Sequence, residues 1–438
     1  MRNNVAFTVH YEKTLRRDEN MNIKVTIRET TRLNLCISCN ICEVICPTQA
    51  IESQEENGNY PPHIDQDKCV YCGKCYEVCP GKDIFWRKTK EDFSKSMFGD
   101  YLDIWCAQAV DREVLKNSAS GGVVTSLVMH LLKEGEYESA FLLSGYNYEH
   151  QLETLRFTSK DDFSKTMKSR YLTVSHKNAV RHLVDNPKEK MIIVGTGCAV
   201  QGVLNVLASK EITRENLLII GLFCDKTMNY NVYKYFSGHP ACDDKLMDLY
   251  FRTKEAGGWP GNVRLCKKDG SYVDLINKER MRVKDYFQPE RCLYCLDKLN
   301  RNADISVGDN YIPSRKDVLG VSSCVIRTKK GKIAFDVGWN LFKIKKDTEK
   351  ALVESTKLED KKVNVKYCSI KGIGGFEKYK ATKKEGRQYK EALRKIRIGY
   401  SQPTYKKVNN AINRRERVIK VKRRLRNRIM RMVKITEV

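Results

Sequence analysis

The chain has 438 residues, 41% of them hydrophobic, with 80 Lys and Arg against 54 Asp and Glu and a formal charge of +26. That length suits two or three folded domains. No charge-free apolar run approaches the roughly 18 residues that argue for a membrane span, and residues 14–19 lack the basic–apolar–small layout of a signal peptide, so a cytoplasmic location is expected. Seventeen cysteines then point to thiolates on metal rather than to disulfides, and the positive charge calls for an anionic partner.

Residues 1–30 read as a polar lead-in, in which the alternation over 22–27 predicts an edge strand. Residues 31–90 are organised by cysteine spacing. Cys36, Cys39, Cys42 and Cys46-Pro47 read C-x2-C-x2-C-x3-C-P, and Cys69, Cys72, Cys75 and Cys79-Pro80 repeat it unchanged. In that run the fourth cysteine of each copy ligates the other copy's cluster. Cys36, Cys39, Cys42 and Cys79 are therefore expected to hold one 4Fe-4S cluster, and Cys69, Cys72, Cys75 and Cys46 a second. Zinc knuckles, the other reading, pair two close cysteines and then leave a gap. The fold expected here is a small α+β bacterial-type ferredoxin unit.

Past a charged connector over 87–95, residues 96–345 read as an α/β core with a mainly parallel sheet. Residues 104–110 predict a strand. Ser118, Ser120, Gly121 and Gly122 then open an apolar-faced helix over 123–132, a place where phosphate binds backbone N–H groups, or where a serine simply caps a helix. A strand is expected over 137–144, and a strand and a helix over 165–182. Residues 190–198 predict a buried strand entering a Gly195-Thr196-Gly197-Cys198 turn, with a helix over 199–208 and a further strand over 217–223 that ends at Cys224-Asp225-Lys226. Such a βαβ unit implies parallel neighbours, with the ligand crevice beyond the strands' carboxyl ends. Residues 252–262 predict a glycine-rich loop, and 321–337 a hairpin turning at Lys329-Lys330-Gly331. Cys292-x2-Cys295 forms a close pair that could meet Cys198 and Cys224. Those four are either a third thiolate set, or two buried residues beside a pair that binds zinc or nothing. Cys106, Cys242, Cys266, Cys324 and Cys368 have no such company.

In combination, Ser120-Gly121-Gly122-Val123-Val124-Thr125, Gly195-Thr196-Gly197-Cys198 with Gln201-Gly202, and Ile220-Gly221-Leu222-Phe223-Cys224 resemble the β subunit of coenzyme F420 hydrogenases and dehydrogenases. Gly258-Trp259-Pro260-Gly261, Cys292-x2-Cys295 and Ala303-Asp304-Ile305-Ser306-Val307-Gly308-Asp309 continue the resemblance in order, over roughly residues 100–340. The resemblance implies an oxidoreductase that contains FAD and passes electrons between coenzyme F420, or another two-electron carrier, and iron–sulfur clusters. It also implies a third 4Fe-4S cluster on Cys198, Cys224, Cys292 and Cys295. Ser118, Ser120, Gly121, Gly122, Thr196 and Gly197 become flavin-pocket candidates, with Lys226 and Arg252 placed to favour an anionic flavin or donor. Gly197 departs from the proline of the family's Gly-Thr-Pro-Cys turn. A flavin is needed because the carrier gives a hydride and a cluster accepts one electron. No catalytic acid, base or nucleophile is singled out. The competing reading is a ferredoxin-type adaptor subunit with no substrate.

Residues 346–438 form a basic C-terminal region. From about 411 onward, eleven Lys and Arg face two acids, and Val418, Val421, Leu425, Ile429 and Met432 recur at helical spacing. An amphipathic helix of this kind suits peripheral contact with an anionic membrane face, or a partner helix in a larger complex. Nucleic acid is disfavoured, because no aromatic interleaving accompanies the charge. The partners expected are a redox protein or ferredoxin, and a larger oxidoreductase complex.

Overall fold

Two short strands, β1 (Ile51–Ser53) and β2 (Pro62–Ile64), pair antiparallel between the single-turn helices Ile41–Ile45 and Lys74–Glu77. This computed structural model describes residues 24–82, 93–145, 150–243, 245–373, 381–401 and 403–435. The two cysteine runs adopt the same local backbone. Ser38 and Asn40 in the first copy, and Tyr71 and Gly73 in the second, are left-handed, with φ of 56°, 58°, 50° and 75°. Three of the four are not glycine, so the chain accepts the cost of that region at matching places in both copies.

The second body is an eight-stranded sheet. Its strands are β3 (Asp103–Ala109), β4 (Ser139–Leu143), β5 (Thr154–Phe157), β6 (Met191–Thr196), β7 (Leu217–Leu222), β11 (Ile305–Asp309), β12 (Ser322–Ile326) and β13 (Phe342–Lys346), in the spatial order β13-β3-β12-β11-β7-β6-β4-β5. β4, β6, β7 and β11 pair in parallel, and the antiparallel β12 lies between β11 and β3, so β3 shares their direction. Both faces are covered, as a parallel sheet requires. Met191 and Ile193 of β6 and Leu217 and Ile219 of β7 enter one core, while Ile192, Val194, Leu218 and Ile220 enter the other. A smaller antiparallel sheet, β8 (Leu246–Thr253), β9 (Asn262–Lys267) and β10 (Tyr272–Leu275), stands apart in the strand order.

The ferredoxin unit is not a separate bead. Ile27, Ile41, Ile45, Val78 and four of its cysteines share a core with β6, β7 and the helices Lys177–Asp185 and Gly197–Ser209. The contact is closest at Gly202, where a Cβ would lie 2.6 Å from Ile41 Cδ1 and 3.4 Å from Pro80. Polar contacts hold the same seam. His176 N–H donates to the Cys39 carbonyl (2.9 Å), Gln151 Nε2 donates to the Ser38 carbonyl (2.5 Å), and Asn205 Nδ2 donates to the Val78 carbonyl (3.3 Å).

Several sequence expectations need correction. Residues 24–26 form no strand, and a short helix, Arg28–Arg32, follows them; the rest of the lead-in and most of the connector lie outside the described residues. Residues 165–176 hold a 3₁₀ turn and isolated bridges rather than a strand. The expected hairpin is a strand followed by the helix Lys329–Val337, because Thr328 caps it by accepting from the Gly331 N–H (3.0 Å). Arg252 and Thr253 belong to β8, not to the following loop. The last helix is Tyr405–Ile435, starting six residues before the expected point, and Val408 and Ile412 on its first turns are buried against the Tyr235 core. Farther along, Val418, Val421 and Leu425 are exposed, as the amphipathic pattern leads one to expect.

Gly202→Leu should strain this seam. Forcing a side chain into the Ile41–Pro80 contact costs about 1–3 kcal/mol, read as a lower denaturation midpoint for the whole chain. An unchanged midpoint would mean that the seam yields without cost.

Candidate functional site

The cysteines of the ferredoxin unit fall into two groups that cross between the runs. Burial pushes the Cys36 thiol up to about 12, and Cys79 adds to the effect. Burial likewise drives Cys39 and Cys42 well above the ordinary thiol value, with Cys79 and Cys36 acting on both. Cys75 is raised by burial and then by Cys72 and Cys46. A small cavity of about 20 Å³, open toward solvent, is lined by Cys46, Cys69, Cys72 and Cys75, between Ile51, Ile64 and Val70. Backbone N–H groups already point at sulfur: Ser38 to Cys36 (3.3 Å), Ala50 to Cys46 (3.2 Å) and Gly81 to Cys79 (3.3 Å). Hydrogen bonds of this kind tune an iron–sulfur cluster.

A third group gathers at the carboxyl edge of the large sheet. Cys198 lies in the first turn of the helix that leaves β6, Cys224 follows β7, and Cys292 and Cys295 come from the 3₁₀ turn Glu290–Leu293 and the residues after it. Cys198 is raised by burial and next by Cys295. Cys224 is raised well above normal by burial, then by Cys292, Cys198 and Cys295. Burial, with Cys295 and Cys198 adding to it, raises Cys292 to about 11. The two strand-end cysteines and the C-x2-C pair therefore lie within range of one another's charge. Cys198 also acts on Cys39, so this group lies next to the inner group of the ferredoxin unit.

Gly197 has a local reason to be glycine. A Cβ there would stand 2.4 Å from Asp297 Oδ2. Asp297 is tied down in turn, with its Oδ1 accepting from the Arg301 N–H (3.2 Å). The loop that brings in Cys292 and Cys295 thus closes over the start of the Cys198 helix. No disulfide is present among the described residues, and no three His, Cys, Asp or Glu there converge closely enough to hold a single ion. A 4Fe-4S cube needs no such convergence, since each thiolate takes its own iron. Unbridged thiols in fours, buried or half-buried, with a cavity among one set and N–H donors on sulfur, fit that group.

The flavin-pocket candidates divide between two places. Ser120 Oγ donates to the Val321 carbonyl (2.8 Å), the Gly121 N–H donates to Ser322 Oγ (3.0 Å), and a Cβ on Gly121 would meet the Ala107 carbonyl at 2.5 Å. These two residues pin their loop onto β3 and β12. Gly122, with φ of 77°, starts the helix Val123–Lys133. Ser118 is different: its hydroxyl is buried and has no partner among the described residues, so a ligand's polar group would satisfy it. Its neighbour Asn117 lines a cleft of about 360 Å³, open to solvent, together with Lys168, Tyr250, Thr253, Arg264 and Tyr272. Thr196, Gly197 and Lys226 are not on that cleft. They stand around the third thiol group, where Lys226 Nζ pairs with Asp285 (2.9 Å), which also holds Lys395 (2.8 Å).

Between cleft and thiols lies a hub that sequence reasoning caught only in part. Asp309, at the end of β11, accepts from Arg252 Nη1 and Nη2 (2.7 and 3.1 Å), Trp259 Nε1 (3.1 Å) and the Tyr311 hydroxyl (3.0 Å). Arg252 reaches on to the Tyr171 hydroxyl (3.3 Å), and the Tyr171 carbonyl accepts from Met228 N–H and Thr227 Oγ1 (2.7 and 2.9 Å), four and three residues past Cys224. Lys254 Nζ donates to the Leu115 and Ser120 carbonyls (both 2.7 Å), fastening the serine loop to β8. Missed altogether were Lys168, Lys254, Arg264, Asp285, Arg291 and Asp297, none of which belongs to a spaced pattern. Tyr400, from the C-terminal helix Lys383–Ser401, lies close enough to Cys292 to feel its charge. The basic region therefore packs on the site rather than trailing from it.

Three thiol groups, a polar cleft and a parallel α/β scaffold define an iron–sulfur oxidoreductase of the electron-transfer kind. Residues 35–82 match the 4Fe-4S dicluster domain. Residues 104–181 match the N-terminal part, and residues 188–350 the C-terminal part, of the coenzyme F420 hydrogenase/dehydrogenase beta subunit. The chain belongs to that family and carries the dicluster domain at its N-terminal side. Among similar proteins, the coenzyme F420-dependent sulfite reductase of Methanocaldococcus jannaschii is 24% identical over 78% of this chain, which spans 53% of that protein. A subunit of the F(420)H(2) dehydrogenase of Methanosarcina mazei is 24% identical over 74% of this chain and 88% of its own length. A chain of the F420-reducing [NiFe] hydrogenase complex from Methanosarcina barkeri aligns over 61% of this chain and 93% of its own, with 21% identity and a TM-score of 0.46.

The hub gives a pH-dependent expectation. Burial opposes the charge of Asp309, but the Arg252 guanidinium and its hydrogen bonds outweigh it and hold the carboxyl below its ordinary value. Its stabilisation is complete above the unfolded carboxylate value near ~3.9 and fades as pH falls below it. Asp309→Asn leaves Arg252 buried without its counter-charge and should cost about 3–5 kcal/mol at neutral pH, a difference that shrinks in acid. Equal denaturation midpoints at pH 7 would refute the hub's role.

Proposed function

We propose that this chain is a flavin-dependent relay between a two-electron carrier, coenzyme F420 or one similar to it, and a one-electron partner such as ferredoxin. The observation that carries this reading is the serial order of the three thiol groups. Cys198, Cys224, Cys292 and Cys295 would hold a cluster at the sheet edge. Cys36, Cys39, Cys42 and Cys79 would hold the inner ferredoxin cluster beside it. Cys46, Cys69, Cys72 and Cys75 would hold the outer one, whose cavity opens toward solvent beside the exposed Val70.

A bound flavin would supply the conversion between hydride and single-electron transfer. The chain's own residues would do the rest. Ser118 and Asn117 would meet polar groups of the cofactor, while Lys168 and Arg264, paired with Glu255 and Asp274, would offer N–H donors at the cleft. Lys168 lies over the Tyr250 ring (5.1 Å) and Arg264 over the Tyr272 ring (3.9 Å), so two of its walls are flat and apolar with charged rims. The Arg252–Asp309 hub would hold those walls in register with the sheet edge. Assembly into a larger oxidoreductase complex belongs to the same reading, as does reduction of an organic substrate at the flavin.

The tail would supply a further contact. No helix of the described residues is long and apolar enough to cross a membrane. The exposed stripe of Val418, Val421 and Leu425, set among Arg417, Lys420, Lys422, Arg423 and Arg424, suits peripheral binding to an anionic surface. Truncation after Arg417 keeps the buried Val408 and Ile412, and should abolish co-sedimentation with phosphatidylserine vesicles if that surface is lipid. Retained co-sedimentation would reject the assignment.

Iron and flavin analysis of the anaerobically purified chain tests the main reading. About twelve irons and one flavin per chain are expected from three four-iron clusters, with bleaching of the flavin by reduced F420. Eight irons and no flavin would instead make the chain an adaptor.

A further inference from the structure

One buried cation lies between the two inner thiol groups. Arg291 is 5% exposed and immediately precedes Cys292 in the turn Glu290–Leu293. Its Nη2 donates to the carbonyl of Pro80 (3.4 Å), the residue after Cys79. The side chain therefore runs from the third thiol group to the backbone of the inner ferredoxin group. Cys292, Cys295 and Cys198 on one side and Cys79 on the other lie within range of its charge, and an arginine stays protonated throughout.

We propose that Arg291 is a positioning residue for electrons, a fixed positive charge shared by the sheet-edge cluster and the inner ferredoxin cluster that raises the reduction potential of both. The inference rests on the reading that Cys198, Cys224, Cys292 and Cys295 hold a cluster. Reducing a cluster adds one negative charge to it. A cation a few ångströms away in a buried setting stabilises that charge more than bulk water would, and local charge is among the factors that set these potentials. The outer group of Cys46, Cys69, Cys72 and Cys75 has no corresponding partner in Arg291. An electron entering from the carrier would thus settle on the inner pair before moving outward. The step is a single-electron exchange: the sheet-edge cluster is oxidised, the inner ferredoxin cluster is reduced, and no bond is made or broken. The reduced two-electron carrier supplies the electrons.

The test is a redox titration of the anaerobic full-length chain, followed by electron paramagnetic resonance, for the wild type, Arg291→Gln, Arg291→Met and Arg291→Lys. Neutral variants should lower two of the three potentials by at least a tenfold change in the reduced-to-oxidised ratio, which is 59 mV for one electron. The third potential should stay within threefold of wild type, and Arg291→Lys should keep all three there. Three unmoved potentials in a neutral variant with full iron content would overturn the proposal. So would an equal shift of all three, or a shift as large in Arg291→Lys. Failure of both neutral variants to load iron while Arg291→Lys loads would make the charge a requirement of assembly and also overturn it. If the wild type itself shows only two clusters, the reading of the third cysteine set has failed. The inner ferredoxin potential then still decides whether Arg291 acts on it.

Discussion

The distance between the two inner thiol groups is set by one helix. Gly197–Ser209 begins at the sheet edge with Cys198 in its first turn and, five residues on, offers the bare backbone of Gly202 to Ile41 and Pro80. A helix rises about 1.5 Å per residue and repeats every 3.6. A thiol in its first turn and a docking point in its second are therefore held at nearly fixed separation. Because the ferredoxin unit and one face of the sheet share a core, that separation cannot change without opening apolar contacts on both sides.

Such proximity has an electrostatic cost. Gathering thiols in a buried volume drives their ionised forms upward in free energy, which the raised values of Cys39, Cys42 and Cys224 express. The chain offsets this with buried cations rather than with solvent. Arg291 lies between the groups, and Lys361, buried itself, reaches the Asp225 carbonyl beside Cys224 (3.0 Å). Lys226 and Lys395 converge on Asp285 nearby. A few of the chain's many cations are thus placed inside, beside the thiols, while most of the excess basicity stays on the surface.

What could be read from the sequence follows from how local each constraint is. The dicluster runs are legible because a cube of iron and sulfide is wrapped by three close thiolates, so its geometry is written in spacing. The alternation of β6 and β7 and the strand-end positions of Cys198 and Cys224 are legible for a similar reason, since a parallel sheet buries continuous apolar runs. Asp297 and Arg291 were not, because their partners are distant in sequence or are backbone atoms that carry no pattern. Lys329-Lys330-Gly331 misled because a Lys-Gly step reads as a turn, when Thr328 in front of it makes the glycine the third residue of a capped helix. The serine loop was read as one flavin site, yet Ser120 and Gly121 are occupied in holding strands and only Ser118 keeps an unsatisfied hydroxyl.

The shared core also bears on how the molecule comes to be assembled. Cys39, Cys42, Cys75 and Cys79 are themselves part of the small unit's apolar packing, whereas Cys198, Cys224, Cys292 and Cys295 lie outside every core group of the described residues. The packing of the sheet therefore does not enlist its edge thiols. The small unit gains much of its order from what its cysteines bind, since metal affinity in such a case is also folding free energy. The small unit is thus the part of the chain whose own packing leans most on its cysteines.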